Sequence, residues 1–111
     1  MASAVATKPE ILVLGWLDKR KIPYDFQTSL AGGHYELGGA VVDFILPDLN
    51  LGWRVQGQYW HQSITAKAHD DVQKEVLAGM GLAVVDLWED DIYNRLNETL
   101  ELAIQGQEML H

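Results

Sequence analysis

Residues 40–57 read AVVDFILPDLNLGWRVQG, and this stretch decides the fold. Its first half, Ala40 to Leu46, is β-branched and apolar with one acid, Asp43, embedded in it. Pro47-Asp48-Leu49-Asn50 supplies turn chemistry, and "GWRVQG" returns as the partner strand of a hairpin. The neighbours of Asp43 are Val41, Val42, Phe44 and Ile45. An acid so placed faces a core or a site rather than open solvent, because unpaired buried carboxylates are rare.

Upstream, "TKPE" opens a helix. Thr7 is the cap, Pro9 fits the first turn, and Glu10 takes the third position of a capping box. Ile11, Leu14 and Leu17 recur at helical spacing, and the basic triplet Lys19-Arg20-Lys21 suits the negative end of the helix dipole. "IPYDFQT" then reads as an edge strand and "AGGHYELGG" as a glycine-rich connection. Downstream of the hairpin, "HQSITA" is polar loop, with Ser63 or Thr65 available as a cap. The next helix, over about 66–80, is predicted to bury Val72, Val76, Leu77 and Met80 and to stop at Gly79 or Gly81. "LAVVDLW" is a nearly continuous apolar strand of the kind covered on both faces in a parallel pairing. A last helix from about Asp90 carries Ile92, Leu96, Leu100 and Ala103 on one stripe. The order is αβββαβα: an α/β (α+β) fold with a central mixed sheet flanked by helices. No repeat, low-complexity segment or linker interrupts it, so residues 1–111 read as one domain.

The totals narrow the function. Apolar residues make up 48% of the chain and charged residues 22%, ordinary values for a soluble globular protein. Absence of cysteine excludes disulfides, thiolate metal sites and cysteine nucleophiles. Runs such as "ILVLGWL" fall far short of the roughly 20 residues that span a bilayer, and the opening "MASAVATKPE" lacks the pattern of a signal peptide. These features lead to the expectation of a cytoplasmic protein without membrane contact. The net charge of −8 argues against blanket nucleic-acid binding, yet the charge is uneven. Residues 1–75 carry 9 acidic and 7 basic residues, and residues 76–111 carry 7 and 1. A local basic surface around Lys19-Arg20-Lys21, Arg54, Lys67 and Lys74 stays open, beside the plainer reading of scattered solvated charges.

An acid in a strand beside its hairpin partner, within an αβββαβ order, resembles the PD-(D/E)XK nuclease fold. The details look closest to the very-short-patch-repair mismatch endonucleases and to the homing endonucleases built on the same module. The resemblance runs from Thr7 to about Glu89. It rests on the Thr-x-x-Glu opening the first helix, on "DF" after a glycine-rich loop, and on the distance from Asp43 to "GQYWH". The closing series from Gly81 through Val85 and Trp88 to Glu89 is also similar. Two departures stand out: Val42 replaces the usual proline before the acid, and Arg54-Val55-Gln56 replaces Glu-x-Lys. The repair-type subgroup likewise lacks Glu-x-Lys and uses histidine chemistry.

The resemblance implies a Mg²⁺-dependent DNA endonuclease, of repair or homing type, acting on duplex DNA. Phosphodiester cleavage needs a cation at the scissile phosphate and a base for water. Asp43 is the hard-cation ligand, and Val55 offers its backbone carbonyl to the same ion. Gln56 takes the variable slot; it holds a water or a phosphate oxygen, or makes an ordinary strand hydrogen bond. Arg54, on the same face as Gln56, either pairs a carboxylate or touches phosphate. His61 is the candidate general base or acid, with an ordinary pKa near 6.5; a lone histidine behind Trp60 reads first as a packing or surface residue, and it is the resemblance that turns the reading to catalysis. Asp70 occupies the position that orients it, with Asp71 as fallback, though "HDD" also suits a solvated helix start. Glu10 matches an acid that reaches the metal through water, and the capping box explains it without catalysis. Tyr59 and Trp60 resemble aromatics used against DNA, and also fit a core. The rival reading is a catalytically inactive nuclease-fold module for DNA binding or protein interaction. A third, a metal-free structural protein, requires Asp43 to be satisfied by protein donors alone. At this length a homing enzyme calls for a homodimer or a fused or associated specificity domain.

Overall fold

The computed structural model describes residues 6–26, 35–37, 40–57 and 64–110. Helix α1 (Lys8–Lys19) starts where the sequence places it. Thr7 Oγ1 accepts from the Glu10 N–H at 3.4 Å, and Glu10 Oε1 accepts from the Thr7 N–H at 2.8 Å. Both halves of the capping box are therefore formed.

The chain next forms β1 (Asp25–Phe26), β2 (Tyr35–Leu37), β3 (Ala40–Val42), β4 (Phe44–Leu46) and β5 (Leu51–Gln56). A single 3₁₀ turn, Pro47–Leu49, joins β4 to β5, and Asn50 closes it with φ 55°. Asparagine tolerates that left-handed conformation better than most residues. Helix α2 (Ile64–Gly79), β6 (Ala83–Trp88), α3 (Glu89–Asn94) and α4 (Leu96–Ala103) complete the fold. The main sheet has the order β1-β4-β5-β6, antiparallel except for the parallel β5–β6 pair. The expected mixed sheet with flanking helices is what forms.

Alternation along the strands separates two apolar layers. Phe44, Leu46, Trp53, Val85 and Leu87 join Val13 and Leu17 of α1, Ile92 of α3 and Leu100 of α4 in the main core. Ile45 and Val84 face the other way, with Val42 and Leu77 of α2. Each fully buried large side chain contributes about 1.5–3 kcal/mol relative to exposure. Trp53 donates its indole N–H to the Ala103 carbonyl at 3.1 Å, so the largest core residue leaves no polar atom unpaired. Gly52 lies where the second layer is tightest. A Cβ there would meet Val42 Cγ1 at 3.0 Å and Leu82 Cδ2 at 3.2 Å.

Four expectations need correction. "AGGHYELGG" is more than a connection, since Tyr35–Leu37 pairs antiparallel with Ala40–Val42. Only Gly38 and Gly39 separate the two in sequence, which suits such a pairing. The strand expected over 40–46 is divided at Asp43, where the chain bends. Val42 consequently joins the α2 layer and Phe44 the main core, although residues two apart in a regular strand share a face.

On α2, Leu77 is buried as expected, but Val72, Val76 and Met80 are 59%, 46% and 63% exposed. The stripe turned to the sheet is instead the one through Lys74 and Leu77, because Lys74 is drawn inward by an ion pair with Asp86 on β6. Gly81, at φ +91°, ends this helix in a Schellman arrangement. The Leu82 N–H bonds to the Leu77 carbonyl, and the Gly81 N–H to that of Ala78.

The last helix is two helices broken at Arg95, whose φ of −143° and ψ of 47° leave the helical region. Ile92, Leu100 and Ala103 are nevertheless all buried, so the apolar stripe continues across the break. Asp91 contacts both sides of the break: its carboxylate pairs Arg95 at 2.6 Å and its carbonyl accepts from the Thr99 hydroxyl at 3.4 Å.

Candidate active site

The bend at Asp43 has a chemical consequence. Asp43 Oδ2 accepts a hydrogen bond from the Val55 N–H at 2.7 Å, and the Asp43 N–H donates to the Trp53 carbonyl at 3.0 Å. The half-buried carboxylate is thereby held against the backbone of β5. In a strand the N–H and C=O of one residue point to the same side, as the paired bonds of an antiparallel ladder require. The Val55 carbonyl therefore faces the flank of β5 on which Asp43 lies. One carboxylate and one carbonyl are hard oxygen donors of the type Mg²⁺ takes, and that ion usually completes its shell with waters and phosphate oxygens. Among the described residues no group of three or more His, Cys, Asp or Glu gathers as a fuller cage. The donors fit an open Mg²⁺ site of few protein ligands.

Gln56, next along β5, donates from Nε2 to Asp86 Oδ1 at 3.2 Å. Arg54 points to the same carboxylate, with Nε 2.8 Å from Oδ1 and Nη2 3.2 Å from Oδ2. Of the two roles open to Arg54, the structure shows carboxylate pairing. Lys74 Nζ lies 2.7 Å from Asp86 Oδ2 and 2.6 Å from Glu108 Oε2, which also accepts from the Asp86 N–H at 3.3 Å. A buried carboxylate thus gathers two cations and an amide between β5, β6, α2 and the segment after α4. Arg20 is occupied elsewhere, bonded to Asn97 Oδ1 at 2.8 Å and lying over the Trp16 ring. Arg54 and Lys74 therefore do not supply the basic surface considered from the sequence, since both are paired with Asp86 within the fold, while Arg20 stays at the surface.

Burial pushes the Asp86 carboxyl up, but hydrogen bonds and charge from Arg54 and Lys74 outweigh it and hold the group below the usual carboxylate range. Burial likewise pushes Lys74 down, and the bonds and charges of Asp86 and Glu108 reverse the sign, raising it. A carboxyl depressed in the folded state stabilises above its unfolded pKa, and that stability is lost as pH falls through the folded value. Lys74 has the opposite dependence: its contribution is full below the unfolded lysine pKa and is lost as pH rises through the folded one. Removing one partner of a buried ion pair costs about 3–5 kcal/mol. We expect Asp86→Asn to lower the melting temperature at pH 7 and to flatten the fall of melting temperature as pH drops below the ordinary carboxylate range, about pH 4. A melting curve series as steep in acid as that of the unaltered protein would remove Asp86 from this role.

The remaining site residues are distributed as follows. Glu10 is buried at the start of α1 with Oε1 on the Thr7 N–H. Glu10→Gln keeps an acceptor there, so melting temperature should move little; a large activity loss at unchanged melting temperature would assign Glu10 to the chemistry. Asp70 lies on α2, one helical turn before Lys74, and Asp71 beside it is exposed. The Asp70 side chain lies outside the described residues, as do His61, Tyr59 and Trp60 altogether. The structure thus brings Asp43 and Val55 together and ties Gln56 to Asp86. Sequence reasoning passed over Asp86, although a signal was present: it is a lone acid in the apolar run "LAVVDLW", as Asp43 is in "AVVDFIL".

No family model matches this sequence, and no curated protein does. Among solved structures, the catalytic domain of the homing endonuclease I-Bth0305I is similar, with a TM-score of 0.59 and 26% sequence identity. The fold matches an endonuclease catalytic domain. The likeness covers 90% of this chain and 89% of that one, so it spans most of both chains rather than a shared fragment.

Proposed function

We propose that this chain is a Mg²⁺-dependent DNA endonuclease of repair or homing type, related to the very-short-patch-repair branch of the PD-(D/E)XK nucleases. The observation that carries the reading is the likeness to a homing endonuclease catalytic domain over nine-tenths of both chains. The Asp43–Val55 arrangement supports it, since it places a carboxylate and a strand carbonyl on one flank of β5. Asp43 and the Val55 carbonyl would hold Mg²⁺, which when bound neutralises charge on the scissile phosphate. His61 takes the proton of the attacking water at its imidazole, and Asp70 orients that ring. The reading includes a single domain over residues 1–111, a cytoplasmic location, duplex DNA as substrate, and a homodimer or an associated specificity domain to supply target choice.

Nicking of supercoiled plasmid by the purified protein, with and without Mg²⁺, is the test. Mg²⁺-dependent conversion to open circles is expected. DNA retention without nicking, with Mg²⁺ and with Mn²⁺, would replace this reading by the inactive nuclease-fold module. That second reading has one observation in its favour: Arg54, the cation of β5, is paired with Asp86 inside the protein.

A further inference from the structure

We infer that Asp86 is a positioning residue for the candidate site, fixing the Gln56 amide so that its oxygen, not its nitrogen, is presented there. The inference rests on the nuclease reading for what that oxygen does, and on geometry for its orientation. An ionised carboxylate only accepts hydrogen bonds, so the group that Gln56 turns toward Asp86 Oδ1, 3.2 Å away, must be its NH₂. Oε1 is then turned away from β6. In the order β4-β5-β6, the strand on the other side of β5 is the one that leads out of Asp43.

The Asp86 carboxylate is itself immobilised. It is 5% exposed, bidentate to Arg54 and bonded to Lys74, so its Oδ1 is a fixed reference for the amide. Gln56 was open to holding a phosphate oxygen, holding a water, or making an ordinary strand hydrogen bond. With its NH₂ turned to Asp86, Oε1 is the end left for the site, and in this inference it accepts from a water there and orients it. Asp86 reaches the chemistry only through this amide, which separates it from a mere core ion pair.

The test begins with the metal-free protein. The Gln56 side-chain NH₂ resonances in a ¹H–¹⁵N spectrum are assigned by their loss in Gln56→Met. They should shift in Asp86→Asn and also in Asp86→Glu, a gentler variant that keeps both cations compensated but moves the carboxylate by one carbon. Resonances unchanged in a folded Asp86 variant would overturn the orientation. In plasmid nicking, each Asp86 variant should lose about 10–100-fold in rate, the range typical of residues that orient a site from behind. In a Gln56→Met background the same Asp86 change should cost little more. A full further loss in that background would overturn the positioning role and leave Asp86 as structural. If the unaltered protein does not nick, the nuclease reading fails and the role of the oxygen with it, whereas the spectrum still decides the orientation.

Discussion

Asp43→Asn is expected to abolish Mg²⁺-dependent nicking while leaving the melting temperature close to that of the unaltered protein. The choice of asparagine follows from the structure. Asp43 Oδ2 accepts the Val55 N–H at 2.7 Å, and the asparagine oxygen can accept the same bond, so the bend between β3 and β4 keeps its tie to β5. Alanine would orphan that N–H at a cost of about 1–3 kcal/mol and confuse lost folding with lost chemistry. What asparagine removes is the negative charge, without which a doubly charged cation has one carbonyl and no anion from this pair of residues. Plasmid conversion and a melting curve on the same preparation decide the matter. Nicking at the unaltered rate would show Asp43 to be satisfied by protein donors alone, which is the metal-free structural reading.

What could be read from residue types differs sharply from what could not. The strand–turn–strand of residues 40–57 was legible because its apolar runs are bounded by Pro47 and Asn50, whose backbone preferences act locally. The parallel pairing of β6 followed from its continuous apolar content. Errors arose where a distant polar group redirects an element. Periodicity alone put Val72, Val76 and Met80 of α2 inward, but the ion pair of Lys74 with Asp86 turns a different stripe to the sheet. Glu108 joins that pair from 34 residues away, a separation over which no local spacing gives a signal. The break at Arg95 left no trace in the apolar pattern, since Ile92, Leu96 and Leu100 keep a four-residue spacing across it. In the candidate site, Asp43 was legible as an acid among apolar neighbours. Asp86 meets the same criterion, a lone acid in the apolar run "LAVVDLW".

If His61 is the base and Asp70 its orienting partner, their variants should obey a specific arithmetic. Removing a general base costs about 10²–10⁴-fold, so His61→Ala should reduce the nicking rate by that order near pH 7. Asp70 acts only through the imidazole, so Asp70→Asn should cost less. The double variant should be little slower than His61→Ala, because a partner that orients an absent base has nothing left to do. The base must be neutral to accept a proton. Activity of the unaltered protein should therefore fall as pH drops through the histidine range, about 5 to 8, and that ionisation should vanish from the profile of His61→Ala. Melting temperatures of all three variants separate these losses from unfolding. Losses that add in the double variant, or a rate with no ionisation in that range, would return His61 to a packing role and leave the water without the base assigned to it.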